Sequence, residues 1–204
     1  ASEGGGAPIN LTDEVVERIA AGFLVWCEKH LDKCAEGLKI AVGHDSRISA
    51  DRIAAALFRA FTTYGASVYD CGLASTPSMF MAVLELPCDC SVQITASHHP
   101  FFRNGLKFFT PAGGLDSPDI SEILEYAQNS AAPKETDNGT LVPVDYMSKY
   151  ADNLREMIRK GVNAEDYAHP LAGFKIVVDA GNGAGGFYAN DVLKPLGADI
   201  TGSQ

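Results

Sequence analysis

The stretch Thr95-Ala96-Ser97-His98-His99-Pro100-Phe101-Phe102-Arg103-Asn104-Gly105-Leu106-Lys107 places a hydroxyl, two imidazoles, a guanidinium and an ammonium within thirteen residues. A serine in such company can act as a nucleophile or carry a phosphoryl group. His98 and His99 offer donors to a charged oxygen, and Lys107 offers a charge and a transferable proton. No Gly-x-Ser-x-Gly elbow surrounds Ser97, which argues against an acyl-transfer serine. Apolar residues flank the stretch, with Cys90, Val92 and Ile94 before it and Leu106, Phe108 and Phe109 after it. They predict two strands joined by a reactive loop. Ser97 then falls just past the carboxyl end of a buried strand, where open α/β sheets gather anionic ligands.

The elements that must hold this loop can be read from periodicity. Val16, Ile19, Phe23 and Cys27 recur at helical spacing to about His30, behind a cap at Asn10 or Thr12 and with Asp13 and Glu14 in the first turn. Leu38 to Gly43 reads as a short buried strand. Ser49 is placed to cap a second helix with Ile53, Leu57, Ala60, Phe61 and Tyr64 on its inner face and Gly65 as its stop. Ser67 to Asp70 reads as a second strand, and Ser75-Thr76-Pro77 opens a third helix with proline in its first turn. Cys90 to Thr95 is a third strand. Lys107 to Thr110 is a fourth, and with no helix between it and the third it is expected to pair antiparallel at an edge. A turn at 111–114 and a helix from about Pro118 to Gln128 follow. The fold class is therefore α/β, a helix-covered, mixed, mainly parallel sheet.

From Ser130 to Pro143 the composition shifts to Ala, Pro, Asn, Gly and Thr, which reads as a linking segment. A helix is expected from Val144 to about Lys160, with Tyr146, Tyr150, Leu154 and Ile158 along one face. A strand opening at Gly173–Asp179, a Gly-rich turn at 180–186, a helix to about Leu196 and Ala198-Asp199-Ile200 make a fresh strand–loop–helix–strand unit. This divides the chain into residues 1–143, one α/β domain with the reactive loop, and residues 144–204, a connecting helix and the incomplete start of a second, similar domain. Residues 1–9 are Gly-rich and expected to be loose, and a chain opening on Ala1 rather than Met is expected to have lost or left out upstream sequence.

Composition narrows the function classes. A net charge of −10 argues against nonspecific nucleic-acid binding, which needs lysine and arginine to displace counterions. No apolar run approaches the ~20 residues of a membrane-spanning helix, and no charged start with an apolar stretch reads as a signal peptide. Five cysteines, Cys27, Cys34, Cys71, Cys88 and Cys90, are an odd number scattered through regular segments and do not resemble a secreted disulfide framework. Cys88 and Cys90 are too close for a usual zinc pair. They read as buried, reduced thiols in a reducing compartment, the cytoplasm with an organelle stroma left open. Gly181-x-Gly183-x-x-Gly186 also fits the dinucleotide fingerprint with Asp199 beyond it. A tight turn needing positive φ explains the glycines more simply, because Asp199 begins its strand instead of ending it.

Three motifs together resemble one family. Thr95-Ala96-Ser97-His98-His99-Pro100 with Asn104-Gly105-Leu106-Lys107 is similar to the phosphoserine loop of the α-D-phosphohexomutases, including the ten-residue spacing from serine to lysine. Val42-Gly43-His44-Asp45-Ser46-Arg47-Ile48-Ser49 resembles their Gly-x-Asp-x-Arg-x-Ser element, and Val178-Asp179-Ala180-Gly181-Asn182-Gly183-Ala184-Gly185 the opening of their second domain. The resemblance implies that Ser97 carries a phosphate and gives it to a hydroxyl of a hexose phosphate. The bisphosphate formed turns over and returns its other phosphate to Ser97. It further implies Lys107 as general acid/base, His98 as donor to the phosphoryl or leaving oxygens, and His99, where the family often has Asn, at the substrate.

Arg47 either organises the site or pins a loop by pairing with Asp45 or a carbonyl. Arg103 is a phosphate contact or a solvated charge. The implied cofactors are Mg2+, held in part through the phosphate on Ser97, and a hexose bisphosphate activator. The family's Asp-Gly-Asp-type metal loop, its sugar-selecting and phosphate-clamping loops and an early Gly-x-Arg segment have no counterpart in this sequence. The chain is thus expected to be part of a longer enzyme and to partner its remaining domains. The rival expectations are a truncated, non-catalytic binding or assembly module and, more remotely, a dinucleotide-binding protein.

Overall fold

The computed structural model describes residues 8–201. The expectation of a loose start falls, up to residue 7, outside the described residues. Two compact units divide at Val144/Asp145.

The first unit is built on a six-stranded sheet. Its strands are β1 (Lys39–His44), β2 (Ser67–Leu73), β3 (Cys90–Ile94), β4 (Leu106–Thr110), β5 (Gly113–Gly114) and β6 (Thr140–Pro143), in the order β5-β4-β3-β1-β2-β6. β1 pairs parallel with β2 and β3, β2 with β6 likewise, and β4 is antiparallel to both β3 and β5. The helices are α1 (Asp13–His30), α2 (Ala50–Thr63), α3 (Thr76–Glu85) and α4 (Ser117–Gln128).

Side-chain alternation sorts these helices onto the two faces. Ile40, Val42, Val92, Ile94 and Phe108 join the core that includes Phe23 and Leu24 of α1, Leu57 and Phe61 of α2 and Ile123 of α4. The alternate residues meet α3: Ser91 Oγ donates to the Met79 carbonyl at 2.7 Å, and Phe109 sets its ring edge-on to Phe80. Gly43 on that face permits the approach, since a Cβ there would lie 2.6 Å from Met79 Sδ. Thr12 caps α1 by accepting from the Val15 amide, and Ser75 caps α3 in a reciprocal pair with Ser78.

The mixed, mainly parallel sheet covered by helices is as expected, and β4 does turn back antiparallel, although the two-residue β5 lies outside it. Four expectations need correction. The linking segment ends in a strand: β6 hydrogen-bonds along the edge of β2, and its four exposed residues lack the alternation that would mark it. Ser49 stands at the start of α2 without capping it, because its hydroxyl accepts from Asn104 instead. Cys34 is exposed and Cys88 half-buried, so the five free thiols are not uniformly interior. The helix before Leu196 is broken into 3-10 turns at Ala184–Gly186 and Lys194–Leu196 with a π turn, Tyr188–Leu193, between them. Gly185-Gly186 and Pro195 deny it a regular ladder.

The second unit holds α5 (Tyr146–Val162), capped by Asp145 and stopped at left-handed Asn163, and the parallel pair β7 (Lys175–Val177) and β8 (Asp199–Thr201). Ala151, Val192 and Leu196 form its core, with Leu154, Ile158 and Phe187 packed on it. Among the described residues no helix is long and apolar enough to cross a membrane.

Candidate active site

The chain leaves β1 through α2 over one face of the sheet and leaves β2 through α3 over the other, so the crossovers diverge at the β1/β3 boundary. A crevice opens at the carboxyl ends of strands at such a point. His44 stands opposite Ile94 in register, and the Asp45 amide donates to the Ile94 carbonyl at 3.1 Å. The segment 45–49 and the reactive loop 95–105 are thereby joined.

Arg47 binds them together. Its guanidinium is nearly buried, with a side-chain exposure of 8%, and Nε donates to Asp45 Oδ2 at 3.0 Å. Nη2 donates to the Ser97 carbonyl at 2.6 Å, and Nη1 to the carbonyls of Pro100 and Arg103 at 2.6 and 3.0 Å. A planar fork is suited to holding several carbonyls at once, which a lysine's point charge is not. Of the two uses open to Arg47, this geometry is that of a clamp on the loop.

A second chain of bonds closes on the same residue. Thr95 Oγ1 donates to Asp45 Oδ2 at 2.7 Å and accepts from the Ser97 amide at 3.0 Å. Ser97 is thus held by its amide through Thr95 and Asp45 and by its carbonyl through Arg47. The ring of bonds keeps it at φ +53°, a left-handed conformation that costs a residue with a Cβ about 1–2 kcal/mol. Asn104 bridges the far end, donating to Ser49 Oγ at 3.1 Å and accepting from the Gly105 amide at 3.0 Å, while Thr95 and Gly105 close the base of the loop by a backbone bond of 2.9 Å.

The side chains expected to do chemistry lie outside this ring. Ser97, His98 and His99 are exposed, and the two imidazoles stack with centroids 5.2 Å apart. Arg103 is exposed and contributes its carbonyl to the clamp. Lys107 is not in the loop but on β4, opposite Gln93 and therefore on the α3 face of the sheet. Thr95 occupies the next rung of that face, roughly 7 Å along the strand by the ordinary rise per residue. The structure thus gathers the Ser97, Pro100 and Arg103 carbonyls on Arg47, leaves His98 and His99 exposed on the loop between them, and sets Lys107 one rung below Thr95. Asp45 and Thr95, which the sequence reading did not single out as site residues, carry the loop. Their signal was present in the spacing of Asp45 and Arg47, but the partner fifty residues away was not.

The donor set does not by itself suit a divalent cation. Among the described residues no three His, Cys, Asp or Glu side chains converge, and Ser97 offers one hydroxyl. A hollow of about 490 Å³ is lined by Glu17 and Arg18 of α1, Arg59 of α2, Tyr64 just past it and residues 130–132 and 135, whereas one of about 340 Å³ reaches the end of the reactive loop at Asn104 and Gly105.

Comparison with known proteins shows the family of this chain. Residues 4–134 match the family model described as phosphoglucomutase/phosphomannomutase, alpha/beta/alpha domain I. A phosphoglucosamine mutase from Caldicellulosiruptor saccharolyticus is 33% identical over 164 residues, 79% of this chain and 36% of the relative. One from Desulforamulus reducens is 33% identical over 200 residues, 96% of this chain and 43% of the relative. The chain therefore spans about two fifths of the length of such relatives. In fold it is similar to a phosphoglucomutase/phosphomannomutase family protein from Burkholderia thailandensis, with a TM-score of 0.76 at 22% identity over 99% of this chain and 41% of that one.

Proposed function

This chain belongs to the phosphoglucomutase/phosphomannomutase family, and from that premise we propose that it is the phosphoserine-bearing part of an intramolecular phosphotransferase acting on hexose phosphates. The observation that carries the reading is the doubly tethered Ser97, held at φ +53° and exposed just past the carboxyl end of β3.

Phosphoryl transfer asks mainly for positioning and for neutralising charge on the moving group. In the proposed step the bond between Ser97 Oγ and phosphorus breaks and a bond from phosphorus to a sugar hydroxyl oxygen forms. The hydroxyl proton passes to the Lys107 amine, and His98 donates to the phosphoryl or departing oxygen. Reversal with the other phosphate of the bisphosphate restores phosphoserine. His99 and Arg103 would contact substrate phosphate from the loop rim. Arg47 acts on the reaction by holding Ser97 in place. Because the described residues do not complete a cation site, no step is assigned to magnesium, although the family's requirement for it belongs in any assay.

The relatives' name makes glucosamine phosphates a substrate to test beside glucose and mannose phosphates. The full-length protein, incubated with magnesium, a hexose bisphosphate and each sugar phosphate in turn, should convert at least one of them. Ser97→Ala should abolish conversion, and unchanged conversion in that variant would refute the mechanism. The span of about two fifths keeps a binding or assembly module as the second reading. A native mass matching 204 residues, with no turnover in a mixture that includes the other domains, would favour it.

A further inference from the structure

Gln93 is an anomaly on β3. Its side chain is fully buried, and Nε2 donates to the Ala74 carbonyl at 3.0 Å, yet Oε1 has no hydrogen-bond partner. Its neighbours on the same face are both satisfied, Ser91 through Met79 and Thr95 through Asp45. A buried amide oxygen left without a donor costs about 1–3 kcal/mol, so an apolar side chain would be the cheaper filler for this slot.

The cross-strand partner of Gln93 is Lys107. Residues directly opposite in an antiparallel pair share a face with Cβ atoms roughly 5 Å apart, well within the reach of a lysine stem. Lys107 is exposed, and its ammonium has no hydrogen-bond or ion-pair partner among the described residues. An orphan acceptor and an uncommitted donor, not bonded to each other in this structure, therefore share one rung and one face of the sheet, immediately below the Thr95–Asp45 rung that tethers Ser97.

We propose that Gln93 is a positioning residue for Lys107, its Oε1 accepting from the lysine amine and holding it beneath the Ser97 loop. The bond to Ala74 at the entry to α3 fixes the direction in which Oε1 points. Glutamine supplies an acceptor without the counter-charge a glutamate would bring beside a group that must exchange a proton. The role assigned to Gln93 in turnover rests on the reading of Lys107 as general acid/base; the contact itself does not.

Two measurements keep these apart. In this chain labelled with 15N at the lysine ammonium, Lys107 should give an observable ammonium resonance with a nuclear Overhauser contact to the Gln93 amide protons. Gln93→Met, which keeps volume and removes the acceptor, should erase both. Absence of the contact in the unsubstituted chain would overturn the proposal whether or not the variant folds. In the full-length protein Gln93→Met should lower kcat roughly ten- to a hundredfold with KM little changed, the signature of a misplaced group. A loss confined to thermal stability, with kcat intact, would also overturn it. Failure of the full-length protein to turn over any hexose phosphate while the contact is present would instead remove the functional reading and leave the Gln93–Lys107 pair standing.

Discussion

Ser97 is the residue where conformation and chemistry meet. Its backbone is left-handed, its amide and carbonyl are both engaged, by Thr95 and Arg47, and the residue is exposed. Glycine adopts that conformation without the Cβ penalty, so Ser97→Gly should be more stable than Ser97→Ala by about 1 kcal/mol in urea unfolding, with neither able to carry phosphate. Equal stability would mean that the φ is not strained. Thr95→Val removes one donor and one acceptor at once and leaves Asp45 and the Ser97 amide short of a partner. It should cost about 1–3 kcal/mol, and Thr95→Ser should recover most of that. The motif made Ser97 and Arg47 legible from the sequence. The bond between Asp45 and Thr95 was not, because it joins loops that only the β1–β3 pairing brings together.

At the level of elements, α1 and α4 approach so closely that Gly22 has no room for a side chain. A Cβ there would lie 2.6 Å from the Ile123 carbonyl oxygen and 3.0 Å from the Ala127 amide nitrogen. In an exposed helix a glycine-to-alanine change gains about 1 kcal/mol from propensity. Here backbone must move, so Gly22→Ala should instead lose about 1–3 kcal/mol in denaturant unfolding. A gain would show that the helices separate freely. Thr12→Ala should cost about 1 kcal/mol through loss of the α1 cap, read by the same assay. Amphipathic α1 and α2 were readable because their burial repeats locally with the helical period. β6 was not, since its four exposed residues are a strand only through their bonds to β2.

For the whole molecule, burial orders the thiols. Cys34 is exposed, whereas Cys27 and Cys90 lie in the core of the first unit. Burial pushes the Cys71 and Cys88 thiols up to about 12 from an ordinary 9.0. The unfolded chain gives up these protons near pH 9 and the folded chain only near 12, so their contribution to stability is present below pH 9 and is lost between pH 9 and 12. Thermal unfolding across that interval should show a falling midpoint, lessened in Cys71→Ala relative to its own neutral value. A thiol reagent at pH 8 should modify Cys34 first and reach Cys27 and Cys90 only in denaturant. What the sequence alone determined is the α/β alternation, the two amphipathic helices over the sheet and the reactive loop, because hydrophobic period and residue chemistry are local. The tertiary structure decided that Arg47 is a clamp, that Asp45 and Thr95 hold the serine, and that Gln93 faces Lys107. Each of these depends on which strands lie side by side, and hydrogen bonds between residues about fifty positions apart, or across a strand pair, leave no period in a sequence.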